Sequence, residues 1–115
     1  MRDNDNASNR RRIRTLTVDS AAAAGPYSAG DYVVVQNLTK AGIRTGDTAI
    51  VTAMGTVAGG VFASFGPGDT DSIYWGARAV IVYDGQFELM ITRLAGNVAP
   101  VALPSIRWRV TFIRP

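Results

Sequence analysis

The sequence predicts an all-β fold: a single antiparallel β-sandwich or barrel-like domain of about 7–8 strands with an extended N-terminal arm. Two observations lead to this prediction. Several segments alternate apolar and polar residues, and turns rich in Gly, Pro and Asp separate them at intervals of roughly ten residues. No segment has the spacing of an amphipathic helix. The chain of 115 residues, 47% of them hydrophobic, is long enough for one core and one domain.

The charge distribution divides the chain into an arm and a body. Five of the twelve basic residues fall within the first fourteen positions, and the remainder of the chain is close to neutral. We therefore expect residues 1–20 to form a basic arm with the first strand, residues 21–30 to form a connector, and residues 31–115 to form the β body. Arginine, which dominates among the cations, suits protein interfaces because its planar guanidinium makes paired hydrogen bonds.

The predicted strands follow one another with clear turn signals. They cover residues 12–19, 31–39, 47–56, 60–65, 73–84, 86–94 and 105–114, and residues 95–104 are expected to form a loop. Asp84-Gly85 is the strongest hairpin signal. Gly76 is expected to mark a bulge or bend in its strand.

The alternation is clearest in the last two strands, where it predicts one buried face on each. The residues expected to share an apolar face are Phe87, Leu89 and Ile91 in one strand and Ile106, Trp108, Val110 and Phe112 in the other. Arg107 and Arg109 lie on the opposite face, exposed to solvent or to a partner.

The residue types needed for most catalysis are missing. The chain has no His and no Cys, so it has no Ser-His or Cys-His pair and no plausible zinc site. Asp84 and Glu88 would be about 13 Å apart on an extended strand, too far for a glycosidase pair. Asp69 and Asp71 have part of a calcium-loop spacing, but an ordinary turn explains them better. We expect no enzyme, no cofactor, no metal site and no membrane span.

The arginine-rich arm has three interpretations: a solvated tail, an arm that docks on a neighbouring protein chain, or a phosphate-binding segment. We favour docking, in which arginines pair with carboxylates and two apolar residues anchor the strand, through addition to a neighbour's sheet. The expected partner-binding residues are Arg10, Arg11, Arg12, Arg14, Leu16 and Val18.

Tyr74 and Trp75 are a second candidate site. Adjacent strand residues face opposite ways, so at most one of the two belongs to the core. We expect both to be packed, one in the core and one at a subunit contact. A sugar-stacking platform is the alternative.

From about residue 29 onward, the order of elements resembles a small β-sandwich module of tailed-bacteriophage virion proteins, of the capsid decoration, minor capsid or fibre-head type. The segments that carry the resemblance are AGDYVVVQNLT, GIRTGDTAIVTA, DGQFELMITRL and SIRWRVTFIRP. Within them, Asp84 and Gly85 form the turn, Phe87 leads the next strand and Trp108 is the inward tryptophan. The N-terminus departs from a fibre, because it carries a short basic arm where a shaft would continue.

The resemblance implies a non-enzymatic virion structural protein, assembled in the host cytoplasm, that docks as a homotrimer on a major capsid or tail subunit. The short arm favours a capsid decoration or minor capsid protein. A carbohydrate-binding host-adhesion module of a tail or head fibre is the alternative. A nucleic-acid-binding protein that uses the arm is a further, less favoured one.

Overall fold

The computed structural model describes residues 12–66, 74–94 and 100–115, and in these ranges the chain is built of antiparallel β-strands. The predicted all-β fold class is confirmed. The nine strands of the described ranges are β1 (Ile13–Asp19), β2 (Ala23–Tyr27), β3 (Tyr32–Thr39), β4 (Thr48–Ala58), β5 (Val61–Ser64), β6 (Trp75–Tyr83), β7 (Gln86–Arg93), β8 (Val101–Leu103) and β9 (Ile106–Ile113).

The strands form three sheets, of which two enclose the core. One sheet has the order β1-β9-β4-β5, the second has the order β3-β7-β6, and β2 pairs with β8 in a two-stranded sheet. β9 and β7 therefore have a hydrogen-bonded neighbour on each side. These are the two strands with the clearest alternation, as expected for central strands with one face in the core.

The inward faces of β7 and β9 supply most of the core. Phe87, Leu89 and Ile91 are fully buried. The rings of Phe87 and Phe112 pack edge-to-face, with their centroids 5.0 Å apart. The predicted inward face of β9 is confirmed, since all four of its residues, Ile106, Trp108, Val110 and Phe112, are buried.

A buried serine completes the environment of Trp108. Ser20 is 1% exposed, and its Oγ accepts a hydrogen bond from the indole Nε1 of Trp108 at 3.0 Å. The same hydroxyl donates to the carbonyl of Ile106 at 3.2 Å and accepts from the amide of Ile106 at 3.4 Å. An indole N–H in a core needs such an acceptor, because an unmade hydrogen bond there is costly.

The hairpin predicted at Asp84-Gly85 joins β6 to β7. Gly85 has a φ of 83°, which is the left-handed region that such turns use. Of the bulge or bend expected at Gly76, the bulge is wrong: Gly76 pairs in register with Thr92, and the register shift in this ladder lies between Ile81 and Tyr83.

Three further predictions about segments need correction. The expected connector, residues 21–30, contains β2, and the expected loop, residues 95–104, contains β8; these two strands pair with each other. The first strand is also part of the body and not of a separate arm, because all seven residues of β1 pair with β9.

Candidate functional site

Five cationic side chains from three parts of the chain lie at one end of the β body, and we call them the basic end. Arg12 precedes β1, Arg14 lies within it, Lys40 and Arg44 belong to the β3–β4 loop, and Arg114 follows β9. Three of these positions, Arg12, Lys40 and Arg114, directly adjoin the end of a strand, where the antiparallel order of the sheets brings separate segments together.

Backbone hydrogen bonds join these segments. The amide of Arg114 donates to the carbonyl of Arg12 at 2.8 Å, which fixes the start of β1 beside the end of β9. The amide of Lys40 donates to the carbonyl of Gly85 at 2.9 Å, and the amide of Gly85 donates to the carbonyl of Ile43 at 2.9 Å. The β3–β4 loop is therefore held against the β6–β7 hairpin.

Gly42 lies between two of the arginines. The guanidinium of Arg14 packs against the Gly42 backbone so closely that any side chain at this position would overlap it. The Nη2 of Arg114 donates to the Gly42 carbonyl at 2.6 Å. The Nε of Arg14 is buried without a hydrogen-bond partner among the described residues, so Arg14 is more confined than a solvated arm residue would be.

Asp47 balances one of these charges. Its carboxylate accepts hydrogen bonds from the Nε of Arg114 at 3.2 Å and from the backbone amide of Arg44 at 2.9 Å. Only 5% of its side chain is exposed. Burial by itself would raise the pKa of Asp47, but the hydrogen bond from Arg114, that amide and the nearby arginine charges together lower it. Asp47 is therefore ionised at neutral pH.

The basic end keeps an excess of positive charge. Its carboxylates are those of Asp47 and Asp84, and Asp84 accepts a hydrogen bond from the Thr45 amide at 3.0 Å. Five cations and these two carboxylates leave three positive charges. Tyr83, which is 69% exposed, directly precedes Asp84, and Ile13, which is 53% exposed, follows Arg12. Exposed Tyr and Arg side chains with an apolar neighbour are the composition found at binding hot spots.

The expected partner-binding residues are distributed unevenly over this site. Arg10 and Arg11 lie outside the described residues, whereas Arg12 is exposed at the basic end. Val18 is wrong as a partner anchor because it is buried in the core, whereas Leu16 is half-buried and packs against that core. Their strand already pairs with β9 of the same chain, which leaves only its outer edge unpaired among the described strands.

The candidate sugar platform is wrong for Trp75, because this residue is 2% exposed and its ring packs edge-to-face with Tyr27. Tyr74 is half-buried and covers the guanidinium of Arg93, whose Cζ lies 4.5 Å from the ring centroid. This agrees with the expectation that only one of the pair belongs to the core. The ring of Trp75 is therefore closed to sugar stacking, and one face of the Tyr74 ring is taken by Arg93.

Sequence reasoning missed Lys40, Arg44 and Arg114 as members of the site. The sequence carries only part of the signal: Gly42 and Gly46 mark a turn that follows Lys40, but the position of this turn beside the start of β1 depends on the sheet order. Arg107 and Arg109 lie elsewhere, on the outer face of β9, where Arg107 pairs with Asp19 at 2.7 Å and Arg109 is exposed.

Other kinds of site find little support in the described ranges. They contain no cluster of three or more acidic side chains placed to hold a metal ion. Nor does any helix in these ranges have the length and apolarity needed to cross a membrane. Comparisons of the chain with protein-family models, with curated proteins and with solved structures find no match.

Proposed function

We propose that this protein is a non-enzymatic structural component of a tailed-phage particle, a capsid decoration or minor capsid protein that docks on a major capsid or tail subunit. Docking uses the basic end together with the residues that precede it. The observation that carries the proposal is the convergence of five cationic side chains from three segments where residues 1–11 join the body. The phage context and the homotrimer rest on the resemblance of the β body.

The basic end supports a protein partner because its free charges stand beside apolar and aromatic surface. Arg12 and Arg44 are exposed and make no ion pair with any described residue, so both are available to carboxylates of another chain. Interfaces of this kind use Arg for paired hydrogen bonds and Tyr for contact area. The exposed Tyr83 and Ile13 supply such area beside them.

A charge-reversal experiment tests the proposal. The double variant Arg12→Glu, Arg44→Glu is compared with Arg78→Glu, Arg109→Glu, which reverses two arginines away from the basic end. Binding of the full-length protein to particles assembled from the candidate capsid or tail subunit is measured by co-sedimentation. We expect the first variant to bind at least ~10-fold more weakly and the control to stay within about twofold of the original, since close interfacial charge pairs have coupling energies of roughly 1.5–7 kcal/mol.

Equal losses in the two variants would show that only net charge matters, and full binding by the first variant would remove the basic end from the docking site. A truncation tests the arm separately. It should remove residues 1–11 and no more, because β1 starts at Ile13 and belongs to the folded body. We expect this truncation to weaken particle binding and to leave the unfolding midpoint unchanged.

Nucleic-acid binding is the second candidate function, and the same cluster of cations favours it. It predicts an affinity for DNA or RNA that falls steeply with salt, because each phosphate contact releases a counterion. Binding to nuclease-treated particles that remains complete would reject this candidate. Loss of that binding after nuclease treatment would reject the protein-docking proposal.

A further inference from the structure

A surface cleft of about 190 Å³ lies within the basic end. It is lined by Arg44, Thr45, Gly46, Asp47, Arg114 and Pro115. A water molecule occupies about 30 Å³ in the liquid, so the cleft has room for one small polar group with a few waters. Its walls come from the β3–β4 loop on one side and from the end of β9 on the other.

Two internal carboxylates hold the loop wall in place. The carboxylate of Asp47 accepts a hydrogen bond from the amide of Arg44, and the carboxylate of Asp84 accepts one from the amide of Thr45. The amide of Asp47 closes the turn on the carbonyl of Arg44 at 3.0 Å. Gly46, with a φ of 98°, takes the left-handed conformation in the middle of this turn. The loop wall is thus fixed by hydrogen bonds before any ligand arrives.

Two donors in the cleft remain unused. The guanidinium of Arg44 makes no hydrogen bond or ion pair with any described residue, and the amide of Gly46 has no acceptor within the same part of the chain. Arg114, by contrast, is already bound to Asp47 and to the Gly42 carbonyl. The groups of the cleft that can still form hydrogen bonds are therefore donors, and one of them, the guanidinium of Arg44, carries a positive charge.

We infer that the cleft receives a single carboxylate group from an acidic side chain of the partner protein, bound by Arg44 with the Gly46 amide as a second donor. This inference rests on the proposed docking function and adds the chemistry of the group that is recognised. A guanidinium matches the two oxygens of a carboxylate with two parallel hydrogen bonds.

The surroundings favour one isolated carboxylate over the backbone of a nucleic acid. A nucleic acid presents phosphates in series, and it binds best along an uninterrupted track of cations. Here the ionised Asp47 is in the wall, and Asp84 lies directly behind Thr45. These two carboxylates interrupt the positive track, and they repel a chain of phosphates more than one carboxylate, which carries a single charge and needs a single guanidinium.

The test is an NMR titration of the full-length protein with a penta-glutamate peptide, followed at the backbone amides of Thr45 and Gly46. We expect saturable shifts of both signals at low salt. Arg44→Gln should weaken peptide binding at least ~5-fold and Arg44→Lys about threefold, because lysine keeps the charge but loses the planar fork. Arg78→Gln, a matched change at an arginine elsewhere, should leave the affinity within about twofold.

Three results would overturn the inference: no shift at Gly46, an equal loss of affinity in Arg44→Gln and Arg78→Gln, or tighter binding of a thymidine oligonucleotide at the same signals. Particle binding separates this inference from the proposed function. An Arg44→Gln protein that decorates particles fully would reject the cleft as the recognition site while docking stands. Peptide binding in the cleft without any particle binding would reject docking while the carboxylate site stands.

Discussion

Replacing Ser20 with alanine should remove the acceptor of a buried indole without changing the backbone contact beside it. The hydroxyl of Ser20 accepts a hydrogen bond from the Nε1 of Trp108 at 3.0 Å, and both residues are 1% exposed. The backbone amide of Ser20 donates to the carbonyl of Ile106 at 2.8 Å, and alanine keeps that bond. The variant therefore isolates the side-chain network around Trp108.

The expected cost follows from what is left behind. The indole N–H would have no acceptor in the core, which costs about 1–3 kcal/mol. The amide of Ile106 loses a longer bond of 3.4 Å, which adds little. We expect a total loss of about 1–3 kcal/mol. A domain of this kind has about 5–15 kcal/mol of stability, so the variant should still fold.

A double-mutant cycle with Trp108→Phe makes the reasoning refutable, because phenylalanine has no N–H to leave unpaired. Urea unfolding followed by far-UV circular dichroism gives the free energy of unfolding for all four proteins. We expect Ser20→Ala to cost about 1–2 kcal/mol less when Trp108→Phe is already present. Ser105→Ala is the control, since its hydroxyl donates to the carbonyl of Ser20, at 2.6 Å, and not to the indole. A coupling energy below ~0.3 kcal/mol would refute the role given to Ser20.

Two further predictions concern stability. The pKa of Asp47 is lower in the folded protein than in the unfolded chain, so ionised Asp47 contributes to the free energy of unfolding. This contribution is complete above pH ~4 and is lost as the pH falls through the folded-state pKa. Between pH ~5 and ~2, the free energy of unfolding should therefore fall less steeply in Asp47→Asn than in the original protein. An added methyl group at Gly55 would overlap the carbonyl of Ala63, whereas at Gly76 it would meet the flexible end of Leu94 at 2.9 Å. Gly55→Ala should therefore cost about 2–3 kcal/mol and Gly76→Ala less than about 1 kcal/mol in urea unfolding, and equal costs would contradict this difference.

The central strands were predictable because their sequence carries the full pattern. Phe87 to Ile91 and Ile106 to Phe112 alternate over long enough segments to reveal both the strand and its buried face. β2 and β8 could not be found in this way. β8 has only three residues, and the AAGPY sequence of β2 contains two turn formers, so neither shows a period. Their pairing is set by the tertiary structure.

The orientation of Arg14 was predictable in part. Arg14, Leu16 and Val18 are separated by two residues each, so they share one face of β1, and Val18 is in the core. Assigning all three to a partner followed from treating the segment as an arm. The same period, taken with the burial of Val18, predicts the inward position of Arg14 beside Gly42.

The basic end itself depends on which strands are neighbours. Arg12 and Arg114 are about a hundred positions apart, and they meet because β1 pairs with β9 antiparallel, so that the start of one lies at the end of the other. Arg44 joins them because Asp47, three positions further on, binds Arg114. No local pattern contains these relations, which is why composition indicated a cationic contact surface but placed it only on residues 1–20.

Arg44 and Arg114 line one cleft and differ in what the fold requires of them. Arg114 is tied to Asp47 and to Gly42, so its removal would leave a nearly buried carboxylate without its partner and would destabilise the fold. Arg44 holds the turn through its backbone alone, and its side chain makes no internal bond in the described ranges. The positive charge of Arg44 helps the fold only through its coulombic effect on Asp47, the smallest of the causes that set the pKa of that carboxyl. A contact outside the chain gives this charge a use, and for that reason binding can be lost at Arg44 while the fold is kept.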